Sequence, residues 1–195
     1  MLIGYPAQPV IWQGAKPHGA AHVGRGSQTF GHVGCVVTSV AMALRFLGVK
    51  AGAQPLDVQA AGLARPGVWA EGSSGCVVPD LIRAQKGLTV GEDVPGAGAL
   101  VPPGPDVLRP LLLGCFERGG VALVCVDYDR DLPAGDPTGE HWCCARGVEG
   151  DRLRLADPAT AKDESVDLFT LSGPVHWGSV VRPYVVVRVI TIYRA

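Results

Sequence analysis

The sequence predicts an α+β domain in which N-terminal helices pack on an antiparallel sheet. Two observations lead to this fold class. Helical spacing of apolar residues is concentrated in the first half of the chain, whereas apolar and β-branched runs mark the second half. With 195 residues, of which 47% are hydrophobic and only 18% are charged, the chain can form an ordered core. We therefore expect a single domain over residues 1–195.

The clearest predicted helix begins at Cys35, where a glycine-rich loop ends. Apolar residues then follow at helical spacing, at Val36, Val37, Val40, Ala41, Leu44 and Leu47. Gly48 is a residue type that commonly terminates a helix. The pattern predicts a largely buried helix from Cys35 to Leu47.

Two shorter helices are predicted further along the chain. The segment from Pro79 to Gly87 begins with proline and ends with glycine, which is typical of helix ends. Another helix is expected from Leu108 to Glu117, with Pro110 in its first turn, where proline is tolerated. The glycine- and proline-rich run 94–105 between them predicts a loop.

The predicted strands follow. Val121 to Val126 is a continuous apolar run, which is typical of a central strand. His141 to Val148 and Arg152 to Ala156 flank the turn-forming residues 149–151, and this arrangement predicts a β-hairpin. Tyr184 to Tyr193 is rich in valine and isoleucine and predicts one or two further strands.

Charge and hydropathy exclude several classes of protein. The formal net charge is -1 with both signs scattered, so no basic face for nucleic acid is expected. No run approaches the ~20 apolar residues that a membrane-spanning helix needs. The start of the chain has neither a positively charged segment nor a long apolar run, so no secretory signal is predicted. We expect a protein that is cytoplasmic as synthesised, and its delivery to a cell wall or a virion is left open.

The cysteine pattern predicts free thiols. Cys is present 6 times, without a CxxC pair or regular spacing, so a disulfide framework is not expected. A zinc site is not expected either, because Cys143 and Cys144 are adjacent and would point to opposite faces of a strand. No metal or organic cofactor is predicted.

Three residues supply, in chain order, the types of catalytic group that a thiol hydrolase needs. Cys35 lies in the first turn of its helix, where the helix dipole lowers a thiol pKa and favours the nucleophilic thiolate. His141 opens the first strand of the predicted hairpin and Asp157 closes the second, so the two side chains could meet across the ladder. A cysteine nucleophile, a histidine base and an orienting carboxylate form a catalytic triad.

Two segments also resemble those of a known family. The segment from Gly26 to Leu44 contains a loop that ends in Gly-Cys and a helix that carries Thr-Ser and Ala-Met. Downstream come His141-Trp142, Gly147-Val148 and Asp157-Pro158, preceded by the helix end and strand of Arg118 to Val124. In order and spacing these motifs resemble the papain-like cysteine peptidases, and within them the bacteriocin-processing (double-glycine) peptidase-like family.

This resemblance implies a papain-like fold and a peptidase activity. Cys35 matches the nucleophile, His141 the base and Asp157 the residue that orients the imidazole. The implied reaction is hydrolysis of peptide bonds through a Cys35 thioester, directed at leader peptides or at the cell wall. The implied partner is a peptide or a peptidoglycan-like substrate.

Papain-like enzymes also use a glutamine upstream of the cysteine to bind the oxyanion, and two glutamines compete for that role. Gln28 stands a few residues before Cys35, as in the shortest family members. Gln8 is followed by Trp12, as in longer members, and Gln13 is a weaker third candidate. The sequence slightly favours Gln8.

Less specific interpretations exist for these residues. A cysteine on an apolar helix is usually a buried small hydrophobe, and Asp-Pro can form a simple turn. His176 is a second-choice base, His32 is expected on the loop before Cys35, and the other five cysteines are expected in the core. For the whole chain, the alternatives are a catalytically silent papain-like module that binds peptides or joins a larger assembly, and an acyl or amide transferase on the same scaffold.

Overall fold

The computed structural model describes residues 1–94, 103–128 and 141–195. Its helices are α1 (Phe30–Val33), α2 (Cys35–Phe46), α3 (Pro55–Leu63), α4 (Val78–Arg83) and α5 (Pro105–Glu117). Its strands are β1 (Leu2–Gly4), β2 (Leu88–Val94), β3 (Val121–Asp127), β4 (His141–Glu149), β5 (Arg152–Asp157), β6 (Lys162–Asp167), β7 (Ser172–Trp177) and β8 (Val180–Arg194). None of the helices in these ranges has the length and apolar character that crossing a bilayer requires.

The strands form one antiparallel sheet that closes on itself. β3 pairs with β4, β4 with β5, and the pairing continues through β6 and β7 to β8, which returns to β3. The result is a closed six-strand barrel, to which β1 adds beside β4 and β2 beside β8. β8 allows closure because it is long: residues 180–185 pair with β7, and residues 185–192 pair with β3.

The predicted α+β papain-like fold, with N-terminal helices packed on an antiparallel sheet, is wrong. The structure is mostly a closed β-barrel with two extra strands and few helices. Sequence patterns missed β6 and β7 because these strands contain no apolar run. Each of them buries one side chain, Val166 in β6 and Val175 in β7. Since β6 and β7 connect β5 to β8, a prediction without them leaves the sheet open.

Several predicted elements are present with different ends. Helix α2 ends at Phe46, and Gly48 has a φ of 65°, as expected for a residue that terminates a helix. Helix α5 begins at Pro105, so Pro110 lies inside the helix rather than in its first turn. The valine-rich C-terminal segment is one strand, β8, and the hairpin is β4 and β5. Residues 95–102 of the predicted loop lie outside the described residues.

The barrel wall separates two hydrophobic clusters. The interior cluster combines alternate residues of the barrel strands with Leu108, Leu112 and Phe116 of α5. The outer cluster joins α2 to the other face of β3, β4 and β8. The Ser39 hydroxyl in α2 donates a hydrogen bond to the Trp142 carbonyl oxygen at 3.0 Å, which fixes the helix against β4. This packing brings the start of α2 to the start of β4.

Candidate active site

Cys35, His141 and Asp157 come together at one end of the barrel. They are the first residue of α2, the first residue of β4 and the last residue of β5. His141 Nε2 lies 2.8 Å from Asp157 Oδ1, and the Cys35 thiol is close enough to the His141 side chain for the two groups to influence each other's pKa. His141 and Asp157 are buried, whereas Cys35 is partly exposed. The structure therefore joins three residues that lie far apart in the chain.

Strand periodicity explains why polar side chains meet at the end of an apolar interior. In β4, Cys143 belongs to the interior cluster, so His141, two residues earlier, points to the same side. In β5, Leu155 faces the interior and Asp157 continues the same row. Both polar residues lie one step beyond the apolar layers, at the end of the barrel that α2 reaches.

The protonation of His141 follows from its partners. A carboxylate only accepts hydrogen bonds, so Nε2 carries the proton that is shared with Asp157. Nδ1 is then the ring nitrogen left to interact with the Cys35 thiol. This is the tautomer that a base needs in order to take the proton of a nucleophile.

Asp157 is held by further hydrogen bonds. The Tyr184 hydroxyl donates to Asp157 Oδ2 at 2.6 Å, and Trp177 Nε1 donates to the Tyr184 oxygen at 2.7 Å. The backbone N–H of Ala159 donates to Asp157 Oδ1 at 2.8 Å. Tyr184 is fully buried in β8 and was missed by the sequence analysis. The one available signal was a tyrosine within an apolar strand, which gives no information about its partner.

The surroundings of Cys35 favour its thiolate. Burial acts to raise the pKa of the thiol, but the hydrogen bond and charge of His141 lower it overall, together with two backbone amides. These amides belong to Val36 and Trp142, at the starts of α2 and β4. Gly34, the residue before α2, has no side chain that could cap the helix, so the first N–H groups of α2 are not capped by it, and that of Val36 contacts the sulfur.

The surroundings of His141 favour the imidazolium. Burial acts to lower the pKa of the ring, but its contacts with Cys143, Asp157 and the Cys35 thiol raise it well above its usual range. Burial raises the pKa of Cys143 itself to about 12, so that thiol is neutral at neutral pH. Burial also acts to raise the pKa of Asp157, but hydrogen bonds from the imidazole and from Tyr184 lower it overall. Asp157 is therefore the anion that stabilises a charged His141.

Cys35 differs from the other cysteines, and all six lie within the described ranges. Cys115, Cys125, Cys143 and Cys144 are buried, as expected, whereas Cys76 is partly exposed. Burial raises the pKa of Cys76 to about 12 and also raises those of the four buried thiols. Cys35 is the one cysteine with a lowered pKa.

A cleft of about 290 Å³ opens beside Cys35, and its volume is at the lower end of the range for ligand pockets. Its lining residues are Trp12, Gln13, Gly31, His32, Val33, Cys35, Tyr128, His141, Ala159 and Trp177. Asp157 is not among them, because it lies behind the imidazole. A molecule in the cleft would therefore meet the thiol and the imidazole but not the carboxylate.

The three candidate glutamines differ in their position. Gln8 and Gln28 do not line the cleft, and Gln28 is exposed. Gln13 lines it with a side chain that is 8% exposed. Its Nε2 donates one hydrogen bond to the Gly31 carbonyl oxygen at 3.2 Å, which leaves the second N–H of the amide available. Its backbone N–H is anchored to the Pro158 carbonyl oxygen at 3.0 Å, next to Asp157.

The histidines and tryptophans singled out from the sequence also differ in whether they line the cleft. His32 lines the cleft from the short helix α1 rather than from the expected loop, whereas His176 is exposed on β7 and does not line the cleft. Trp177 lines the cleft, whereas Trp142 lies under the guanidinium of Arg188, 5.6 Å from its ring centre. Of the two tryptophans that follow a histidine, only Trp177 is a wall of the cleft.

His141, Cys143 and Asp157 are also a set that could hold a metal ion, because their ligand atoms lie within 4.8 Å of one another. Two of these residues are already hydrogen-bonded to each other, and the third is a thiol that burial keeps protonated. A metal ion would have to displace both protons. The arrangement is therefore better suited to orienting the imidazole than to holding a cation.

Comparison of the chain with protein-family models and with curated proteins finds no match.

Proposed function

We propose that this protein is a thiol-dependent peptidase or amidase that uses Cys35 as its nucleophile and His141 as its base. The observation that carries the proposal is the buried hydrogen bond of 2.8 Å between His141 and Asp157, next to a Cys35 thiol that interacts with the same imidazole and faces a cleft. The lowered pKa of Cys35 and the raised pKa of His141 support a thiolate–imidazolium pair.

The proposed reaction has two stages. The Cys35 thiolate attacks the carbonyl carbon of an amide in the cleft, the carbon–nitrogen bond breaks, and the His141 imidazolium gives its proton to the leaving amine. A thioester on Cys35 results. Water then attacks the thioester, His141 takes a proton from that water, and the carboxylic acid leaves as the thiol re-forms. Asp157 orients the imidazole throughout.

The oxyanion of each tetrahedral intermediate needs hydrogen-bond donors. We assign this role to the backbone N–H of Cys35, at the uncapped start of α2, and to the side-chain amide of Gln13, which lines the cleft. Gln8 and Gln28, the two glutamines favoured by the sequence, do not line it.

The proposal concerns the chemistry of the site and takes nothing from the papain-like fold. The resemblance to the bacteriocin-processing peptidases, a leader-peptide or cell-wall substrate, and delivery to a cell wall or a virion stay predictions from sequence motifs. No specific observation in the described residues favours the transferase or the silent module over hydrolysis.

Selective alkylation tests the proposal. At about pH 6, where an ordinary thiol is almost fully protonated, iodoacetamide should modify Cys35 much faster than the other cysteines, because its pKa is lowered. Peptide mapping by mass spectrometry measures each site. The selective reaction should disappear in His141→Ala and persist in the control His176→Ala, which alters an exposed histidine outside the cleft. Equal modification of Cys35 and Cys76 in the native protein would refute an activated nucleophile.

Hydrolysis is a separate measurement. A mixture of peptides incubated with the protein should yield new termini, and Cys35→Ala should abolish them. If Cys35 is selectively alkylated but no peptide is cleaved, the silent binding module or the transferase becomes the better description.

A further inference from the structure

Four arginines stack on aromatic rings within the described ranges, and one of them differs from the others. Three of the guanidinium groups also have a hydrogen-bond partner at the same place: Arg109 pairs with Asp106, Arg118 with the Tyr193 hydroxyl, and Arg188 with both oxygens of Asp93. The fourth, Arg182, stacks on two rings, at 5.1 Å from the Tyr128 centre and 5.8 Å from the Trp177 centre. Among the described residues, the Arg182 guanidinium has no hydrogen-bond partner, and the three other arginines show that stacking on a ring does not by itself prevent one.

Arg182 lies at the end of the barrel that holds the candidate site. Tyr184 points into the interior from β8, so Arg182, two residues earlier, points to the same side. It pairs in register with Val175 of β7, another interior residue, and its stacking partners Tyr128 and Trp177 are both walls of the cleft. Arg182 does not itself line the cleft that contains Cys35, but its guanidinium lies against two rings that do.

The polar atoms of Arg182 are incompletely satisfied. Its Nε is buried and has no hydrogen-bond partner. None of the ion pairs between described residues involves this guanidinium. A buried donor without an acceptor is costly, and a guanidinium presents donors in a fork that matches a carboxylate. The two rings hold this fork in place without using its hydrogen bonds.

We propose that Arg182 forms an anion subsite beside the cleft and that the substrate of Cys35 carries a carboxylate that binds there. The subsite rests on the proposed function, because it places the carboxylate relative to the bond that Cys35 attacks. A carboxylate at Arg182 would lie against the Tyr128 and Trp177 rings. Because the substrate has to carry that carboxylate, its class is an acidic peptide or acyl amide. The source of the carboxylate is either the C-terminus of a peptide or an acidic side chain.

A series of electrophilic peptides of increasing length tests the subsite. The probes are chloroacetyl peptides of increasing numbers of glycines, each ending either in a free acid or in an amide. A further probe of each length ends in aspartic acid amide, so that a side-chain carboxylate is compared with a C-terminal one. The rate of Cys35 alkylation is measured for each probe, and the acid-to-amide ratio cancels any change in the reactivity of the thiol itself.

The native protein should show a ratio of about 10 or more at one probe length, since a charge-assisted pair contributes at least that preference. The rate for the free acid and the rate for the aspartyl amide are each divided by the rate for the plain amide of the same length. The larger of these two ratios identifies the source of the carboxylate. Arg182→Gln should bring the ratio close to that of a free thiol, and Arg182→Lys should leave an intermediate value, because the charge remains but the fork is lost. The matched control Arg109→Gln, a ring-stacked arginine on α5 and not in the cleft, should keep the native ratio. A ratio that is the same in Arg182→Gln as in the native protein would overturn the subsite.

A second measurement separates this proposal from the proposed function. If Cys35 reacts no faster than other thiols with any probe, the catalytic proposal fails, and the subsite is then tested by binding alone. Non-reactive acetyl peptides with acid or amide ends are titrated into Cys35→Ala, and tryptophan fluorescence reports binding. Tighter binding of the acid that is lost in Cys35→Ala/Arg182→Gln supports the subsite, whereas equal binding of acid and amide overturns it.

Discussion

At the scale of single residues, His141 is the group on which the candidate chemistry depends. Nε2 of its ring is held by Asp157 at 2.8 Å, which leaves Nδ1 available to the Cys35 thiol. Asp157 in turn receives the Tyr184 hydroxyl, whose oxygen accepts a hydrogen bond from Trp177. Because Trp177 also lines the cleft, the hydrogen-bonded chain runs from the cleft wall through the interior to the imidazole. Each side chain in this series of hydrogen bonds fixes the position of the next.

Tyr184→Phe tests the role of this hydroxyl. The variant keeps the buried ring but leaves one oxygen of Asp157 and the Trp177 N–H without a partner, so the free energy of unfolding should fall by about 1–3 kcal/mol near neutral pH. The Tyr184 hydroxyl helps to lower the pKa of Asp157, so its contribution is present above the unfolded-state pKa, at about 4, and is lost as the pH falls through the folded-state value. The difference between native and variant protein should therefore shrink in acid.

Urea denaturation at a neutral and at an acidic pH measures this difference. Tyr193→Phe is the control, since its hydroxyl bonds the exposed side chain of Arg118 and should contribute little at either pH. A loss for Tyr184→Phe that does not depend on pH would show that the hydroxyl does not act through Asp157.

Gln13→Ala tests the assignment of the oxyanion donor. Loss of one such donor typically lowers the rate by about 10²–10³, and we expect this for Gln13, whose amide lines the cleft. Gln8→Ala and Gln28→Ala should retain nearly full activity, because neither side chain lines it. The rate of peptide cleavage by the three variants is compared, and a large loss at Gln8 or Gln28 instead would contradict the assignment.

At the scale of elements, strands β4, β5 and β6 are joined by a buried ion-pair network. Arg146 in β4 is 3% exposed and donates two hydrogen bonds to Asp163 in β6, at 2.7 Å and 2.6 Å. Arg154 in β5 bonds the same carboxylate at 2.6 Å. Arg146 also donates to the backbone oxygen of Tyr5, which ties the N-terminal segment to the barrel. The network holds the hairpin that carries Asp157.

Asp163→Asn should therefore destabilise the protein strongly. The change leaves the buried charge of Arg146 without its counter-ion, for which the expected loss in the free energy of unfolding is about 3–5 kcal/mol. Chemical denaturation measures it. Asp80→Asn is the matched control, since Asp80 pairs with Arg83 at an exposed position and should change stability by about 1 kcal/mol at most. Similar effects of the two substitutions would mean that the buried network adds nothing beyond a surface pair.

At the scale of the whole molecule, the barrel wall is shared by both hydrophobic clusters. Cys143 belongs to the interior cluster and its neighbour Cys144 to the outer cluster, so β4 has no solvent-facing side at this point. Neither cluster can open without disrupting the strand that both of them need. We therefore expect the barrel and the helices on its outer face to unfold as one cooperative unit.

Pulsed alkylation in increasing urea measures this cooperativity. Cys143 and Cys144 should become reactive at the same urea concentration, which should coincide with the loss of the circular dichroism signal. Exposure of Cys144 well before Cys143 would show that the helices on the outer face detach first and that the barrel persists without them.

Some of these features follow from local sequence alone. The helix that begins at Cys35 and the hairpin that begins at His141 and ends at Asp157 are predicted from apolar spacing and turn residues, because both signals act between residues close in the chain. The choice of Cys35, His141 and Asp157 as one group also came from the sequence, since each stands at the end of a predictable element.

Only the tertiary structure decided the rest. Closure of the barrel depends on β6 and β7, which bury a single side chain each and so leave almost no pattern in the sequence. The contacts of Tyr184 with Asp157, and the positions of Gln13 and Arg182 beside the cleft, join segments that the chain brings together only after the barrel closes. Local periodicity determines which face of an element is buried, but which residues meet across that face depends on strand order and register.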